Sequence, residues 1–305
     1  MTDLLDAIIA VLPGLAPDAG LIVLGGFVGA KLGPQAWAGL DRLNFLVLFP
    51  ALIFVSAAGR PIPVGEVAVV GAVVWAVMGL GFALASLLRP WGPPRAVDFA
   101  AAWQTGYRFN TALAFVAVGA MPVAVASQMS IAVGLAVPLA NLLAVGALAR
   151  ATARGWGGAL RGAALNPFLL ASLAGLAVCL SGWSPPGPPM AALDRLAAAA
   201  VPLALVTIGA TMDWRSVLRL GRLSGGLAAI KLIALPLAAL LAVPQVTDDP
   251  ALVALAVVFA ALPTASAAPA LARAYGADAG AVSTLVAQST LLGLVTLPIW
   301  IAMVV

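Results

Sequence analysis

Apolar residues fall in blocks about as long as a bilayer is thick, and the arginines, aspartates and many of the prolines fall in the short connections between them. With about 20 apolar residues as the measure of one span, the blocks predict helices over 11–31, 41–59, 65–88, 97–120, 124–148, 166–183, 190–213, 223–244, 251–274 and 279–304. The expected fold class is therefore an all-α membrane protein of ten transmembrane helices. The ninth block is unlike the rest, because Pro263 and Pro269 stand inside it, beside Thr264 and Ser266. Each proline removes a backbone donor and clashes with the carbonyl one turn earlier, so that helix must kink or break. Broken backbone at membrane depth is tolerated where protein buries it or where it lines a wet cavity, which makes Pro263, Thr264 and Ser266 candidates for a binding site. A kinked helix with no ligand is the other reading of the same residues.

Cations divide the connections into two alternating sets. One carries Lys31 with Arg42, Arg89 with Arg95, Arg150 with Arg154 and Arg161, then Arg215, Arg219 and Arg222, and lastly Arg273. The other holds Arg60 beside Glu66, the uncharged Met121-Pro122 turn, the proline-rich Ser184–Pro189 run and the acidic Asp248-Asp249. The positive-inside rule puts the first set in the cytoplasm and both termini outside, in a bacterial-type cytoplasmic membrane.

The chain also repeats itself weakly. Leu40-Asp-Arg-Leu43 recurs as Leu193-Asp-Arg-Leu196, a shift of 153 residues that also carries Asn110-Thr-Ala112 onto Pro263-Thr-Ala265; a shift of 154 carries Pro13 onto Pro167. Two halves of five spans are implied, 1–153 and 154–305. Because five is odd, the second half enters from the opposite side, giving inverted repeats with a site near the midplane.

Composition narrows the chemistry. With 63% hydrophobic and 9% charged residues, the chain has no room for a soluble domain, and without His or more than one Cys it offers no familiar metal site and no cofactor. Its net charge of +4 reads as topology and not as a nucleic-acid surface. No Gly-rich, Lys-terminated nucleotide loop is present, and an intramembrane enzyme would lack a His base, so no enzymatic activity is expected. The acidic start, Met-Thr-Asp-Leu-Leu-Asp, is unlike a cleaved secretory signal.

The polar residues inside spans are few. Arg108 stands about 11 residues into the fourth span, roughly 16 Å along a helix, close to the bilayer centre. A central arginine costs at least about 2.5–3.5 kcal/mol on insertion scales, so it should face the interior and meet an anion. Capture of a substrate carboxylate by the planar guanidinium is one reading; capping the carbonyls of a broken helix is the other. Asn110 and Thr111 add neutral donors and acceptors, or an interhelical contact. Asn44 and Thr207, near the paired prolines Pro50 and Pro202, complete a pocket wall or simply pack. Asp18 is buried enough to exchange a proton if the first helix begins near Val11, and a surface cap if it begins later. Lys231, about eight residues into the eighth span, snorkels to the cytoplasmic face or serves as a proton relay or substrate contact. Asn141 follows Pro138 at a further kink.

These residues carry a resemblance. Leu43–Phe54, Tyr107-Arg-Phe-Asn-Thr111, Val137-Pro-Leu-Ala-Asn141, Asn166-Pro167, Ala200–Leu205 with Ile208-Gly209, Lys231–Pro236, Ala261-Leu-Pro-Thr-Ala265 and Thr296-Leu-Pro298 occur in an order and spacing that resembles the auxin efflux carrier family. That family includes plant auxin exporters and bacterial permeases for malonate and other small organic acids. The resemblance implies five plus five helices, with broken helices 4 and 9 crossing at Asn110 and Pro263. It also implies a scaffold of helices 1, 2, 6 and 7 and a transport domain of helices 3–5 and 8–10. Relatives usually carry a proline a few residues after the helix-4 Asn; here Ala112–Val118 has none, and the long loop of some plant members is missing.

The expected function is a secondary carrier moving a small organic anion, a mono- or dicarboxylate, by alternating access. The alternatives are a sodium symporter of the bile-acid type, although no cluster of acidic and carbonyl sodium ligands is visible, and a membrane sensor that binds without transport. The expected partners are the bilayer and the anion, with homodimerisation left open.

Overall fold

The computed structural model describes residues 16–17, 20–58, 64–118, 121–152, 165, 167–183, 186–211, 214 and 219–304. Asp18 lies outside the described residues, and so do Pro13, Arg60, Arg154, Arg161, Asn166, Ser184 and Arg215.

The described residues are helical, with no strand. In chain order the α-helices are α1 (Gly20–Gly29), α2 (Pro34–Leu43), α3 (Phe49–Ala58), α4 (Val64–Ser86), α5 (Ala96–Trp103), α6 (Thr111–Val118) and α7 (Val123–Ala151). They continue with α8 (Pro167–Ser181), α9 (Gly187–Thr211), α10 (Arg222–Ala229), α11 (Leu235–Ala242), α12 (Pro250–Ala261), α13 (Ala268–Ala274) and α14 (Ala279–Ala302). Six continuous stretches among the described residues are long and apolar enough to span a membrane: Pro34–Val55, Val67–Ser86, Val123–Ala151, Gly187–Thr211, Arg222–Gln245 and Ala279–Ala302. The other predicted spans correspond to shorter pieces: α1, α8, and the two interrupted pairs α5/α6 and α12/α13.

Prolines shape two of the long stretches. Pro236 cannot donate to the carbonyl of Leu232 four residues earlier, and its ring would strike that carbonyl in a regular helix. The backbone widens there into a π-turn, Ile230–Ala234, and the indole N–H of Trp300 on α14 donates to the freed Leu232 oxygen at 2.8 Å. A second π-turn, Asn44–Leu48, precedes Pro50 in the same way and joins α2 to α3.

Small residues set the closest helix contact. A Cβ on Gly209 of α9 would run into the backbone carbonyl oxygen of Ile22 on α1, and one on Gly25 into that of Val206. Gly25 and Gly29 therefore form a small-xxx-small face that lets the two backbones touch. Gly209→Val should force these helices apart and destabilise the protein by about 1–3 kcal/mol. A lower unfolding temperature in detergent is the expected reading, and an unchanged one would show that the helices can part freely.

Among the described residues, three polar contacts join connections of the cation-rich set. Arg273 pairs with Asp41 at 2.7 Å, Arg95 donates to the Gly276 carbonyl at 3.1 Å, and the Asp278 N–H donates to Asp98 at 2.9 Å. At the other set, Gln128 donates to Asp249 at 3.2 Å.

Candidate functional site

The two interrupted stretches meet. Between α5 and α6 the chain passes through a short 3₁₀ turn, Gln104–Gly106, and then runs without helical structure through Asn110. Gly106 is needed here because a Cβ would meet the Cβ of Ala85 on α4, 2.6 Å away. The Asn110 N–H, which a continuous helix would use internally, donates instead to the carbonyl of Pro263 at 2.8 Å. The Asn110 side-chain oxygen then accepts from the Leu113 N–H at 3.2 Å and starts α6. The break therefore forms without a proline in Ala112–Val118, through a side-chain cap and a bond to the other broken segment.

In the second stretch, Leu262 precedes a proline and takes an extended conformation (ψ 134°), as the pre-proline clash favours. The Thr264 N–H is satisfied by the Ser289 hydroxyl of α14 at 3.1 Å. Pro269 falls in the first turn of α13, where its missing N–H costs nothing. Phe109 and Phe259 pack at 4.7 Å between ring centroids and pin the crossing. Asn110 and Pro263, related by the repeat shift of 153 residues, are thus in direct contact at the crossing.

A narrow cleft of about 40 Å³ opens at this crossing. Arg108, Asn110, Thr111 and Ser266 all line it, with Asn141 of α7 and an apolar wall from Phe49, Leu52 and Ile53 of α3 and Val201 of α9. The cleft therefore lies between α3 and α9 on one side and the broken pair with α7 on the other. The helix starts at Thr111 and beside Ala267 border it, placing N-terminal dipole ends near the guanidinium. Arg108 is 4% exposed, and Nη1 donates to Gln104 at 3.3 Å, while Nε has no partner among the described residues. A guanidinium carries five donors. The described contacts do not tie it to the carbonyls of the broken helix, so its donor capacity faces the cleft.

Other expected site residues lie elsewhere. Thr207 is buried outside the cleft lining and donates to its own helix at Leu203, 2.8 Å, as a packing hydroxyl does. Asn44 is buried in the π-turn of the second span, also outside the lining. Thr264 faces a different pocket, together with Lys231. Lys231 does not snorkel: it is 2% exposed, and its ammonium donates to the Ala260 carbonyl at 3.1 Å. The π-turn that contains it belongs to the widening before Pro236, and α12 supplies the carbonyl that holds the ammonium inside.

A family model described as a membrane transport protein matches residues 156–301. The chain is also 29% identical over 293 residues to a protein of Rhizobium meliloti (strain 1021), provisionally named a malonate transporter, covering 92% of this chain and 91% of the relative. The second half of this chain is thus similar to a family of membrane transport proteins, and nearly its whole length to that relative. The two likenesses, with the long apolar helices, point to an integral membrane protein concerned with transport. The crossing bond runs from one half of the chain to the other, Asn110 to Pro263.

Proposed function

We propose that this protein is a secondary transporter for a small carboxylate, which binds in the cleft at the crossing with its carboxylate on Arg108. The observation that carries this reading is a buried guanidinium with unused donor capacity, set in a cleft where backbone hydrogen bonds are rerouted between two broken helices. A carboxylate supplies the compensation that burial demands, and two parallel hydrogen bonds give it a defined orientation. Asn110, Thr111 and Ser266 offer further polar contacts, while the wall of Phe49, Leu52 and Ile53 sets the size of the organic part. The Rhizobium meliloti relative's name makes malonate the first compound to try.

The cleft's two-sided lining suits alternating access. In this reading ten spans form two inverted halves, with α1–α3, α8 and α9 as the scaffold and the remaining helices as the moving part. The substrate sits at the boundary and is exposed first to one side and then to the other. The cation-rich connections face the cytoplasm and both termini lie outside; the pairing of connections within one set supports this sidedness.

Counterflow tests the reading. Proteoliposomes preloaded with unlabelled malonate should accumulate labelled malonate transiently, without a sodium gradient, above the level of empty liposomes. Sodium-dependent uptake would favour the bile-acid-type alternative, and binding without counterflow would make the protein a sensor.

A further inference from the structure

The crevice that holds the Arg108 cleft continues toward the connections that bear the cations. Phe49 of α3 and Ala267 beside α13 line the cleft; one helical turn away, on the same two segments, Phe45 and Ala270 line a second cavity. That cavity has a volume of about 300 Å³ and is walled by Asp41 and Arg42 of α2 and by Arg273 and Ala274 of α13. Small-molecule sites run from about 300 Å³ upward, whereas the cleft beside Arg108 has about 40 Å³. The roomier space on this path therefore lies at its outer, cation-bearing end. Arg273 is six residues beyond Ala267, about 9 Å at helical rise, so the two spaces are successive and not one.

The charge of the outer cavity is unbalanced. Arg273 pairs with Asp41 through Nε at 2.7 Å, while Arg42 has no hydrogen-bond or ion-pair partner among the described residues. Two guanidinium groups and one carboxylate leave one positive charge for an anion. Asp41 is 6% exposed, and its side chain shows that this cavity accepts a carboxylate on Arg273. A guanidinium carries five donors, and Nε is the one engaged here, so the outer nitrogens of Arg273 remain to share an incoming carboxylate with Arg42. Phe45 and Leu46 supply an apolar wall for the organic part.

We propose that this cavity is the cytoplasmic antechamber of the Arg108 cleft, in which Arg42 and Arg273 hold a small carboxylate before it passes inward or after it leaves. The inference rests on the anion-carrier reading above and on the sidedness given there, and it adds an outer station to the path. It also gives the Arg273–Asp41 pair a chemical trigger. An arriving carboxylate competes with Asp41 for Arg273 and so loosens the contact between α13 and α2 as the substrate enters.

Cysteine protection separates this station from the Arg108 cleft. In a Cys179→Ala background, Ala274→Cys is reacted in detergent with a sulfonated methanethiosulfonate, and the rates with and without malonate are compared within each variant. Malonate at ten times its Kd should slow labelling about tenfold. That protection should disappear in Arg42→Gln, return in Arg42→Lys, and persist in Arg108→Gln. Chloride at equal concentration should protect less. Protection that survives Arg42→Gln but is lost in Arg108→Gln would overturn the antechamber while leaving the carrier reading intact, and so would malonate counterflow without any protection. Protection by phosphatidylglycerol and not by malonate would make the cavity a seat for a lipid phosphate and overturn the carboxylate assignment, as would protection by chloride equal to that by malonate. If malonate neither protects nor exchanges in counterflow, the carrier reading itself fails. Return of protection in Arg42→Lys shows that the Gln variant lost a charge and not its fold.

Discussion

Arg108→Gln should lower malonate transport about thirtyfold or more while the protein stays folded. Truncating one partner of a buried, hydrogen-bonded charge pair costs about 2–5 kcal/mol, and each 1.4 kcal/mol is a factor of ten. Glutamine keeps a planar amide of similar reach but loses the charge and the paired donors that fit a carboxylate. Arg108→Lys should fall between the two, since it keeps the charge without the fork. Stability should move the other way. The guanidinium is 4% exposed and has one hydrogen bond among the described residues, so its neutral replacement removes a desolvation cost. A thermal transition in detergent that is unchanged or higher, together with lost transport, would mark Arg108 as a residue kept for its ligand. Wild-type initial rates in proteoliposomes with matched protein would end the carboxylate assignment.

Gly293→Leu should damage folding and transport together. Gly293 on α14 faces the ring of Pro263, and a Cβ there would press on the ring's Cγ. A proline ring inside a buried break has little room to yield, so the added side chain must displace the Pro263 backbone. The carbonyl of that residue receives the Asn110 N–H, and moving it pulls on the bond that joins the two broken segments. Overpacking of this kind costs about 1–3 kcal/mol, and Gly293→Ala should show a smaller form of the same defect. Reduced thermal stability and reduced counterflow are expected together, in contrast to Arg108→Gln, which separates them. Normal transport by Gly293→Leu would show that the crossing need not hold its present geometry.

The two variants address different levels of one design. The crossing is a structural device: it satisfies backbone groups at a depth where water is unavailable, using Asn110 for one chain break and Ser289 for the other. Arg108 is then a chemical device placed within it. The ion pair of Arg273 with Asp41 joins α13 to α2 at 2.7 Å, so a broken segment is also tied to the second predicted span. In the proposed alternating-access cycle that pair would part, and its partly exposed arginine makes separation less costly than for a fully buried pair.

Much of this was legible in residue order. Block length and the near absence of charge dictated membrane-spanning helices, because hydrocarbon admits little else. Pro263 announced its own break, since a missing N–H is a local property. Arg108 stood out as a candidate, since a central cation in a span needs a partner wherever the helix packs. The break at Gln104–Asn110 was less visible, because it depends on an N–H accepted by a carbonyl 153 residues away and on the space that Gly106 leaves against Ala85.

Tertiary structure alone decided which polar residues share a cavity. Thr264 and Ser266 are two residues apart, yet the non-helical backbone between them places one in the lining shared with Lys231 and the other in the lining shared with Arg108. Thr207 looked equal to either in the sequence, but a hydroxyl on a regular helix can satisfy itself on its own carbonyl, and it does. Lys231 stood near enough to a helix end to reach water, and the nearby Ala260 carbonyl held it inside instead. Sequence thus determined that the chain must cross the bilayer and where burial would be costly, since those follow from the transfer of each residue out of water. Which cost is met by which partner follows from distances between helices, and those exist only once the helices pack.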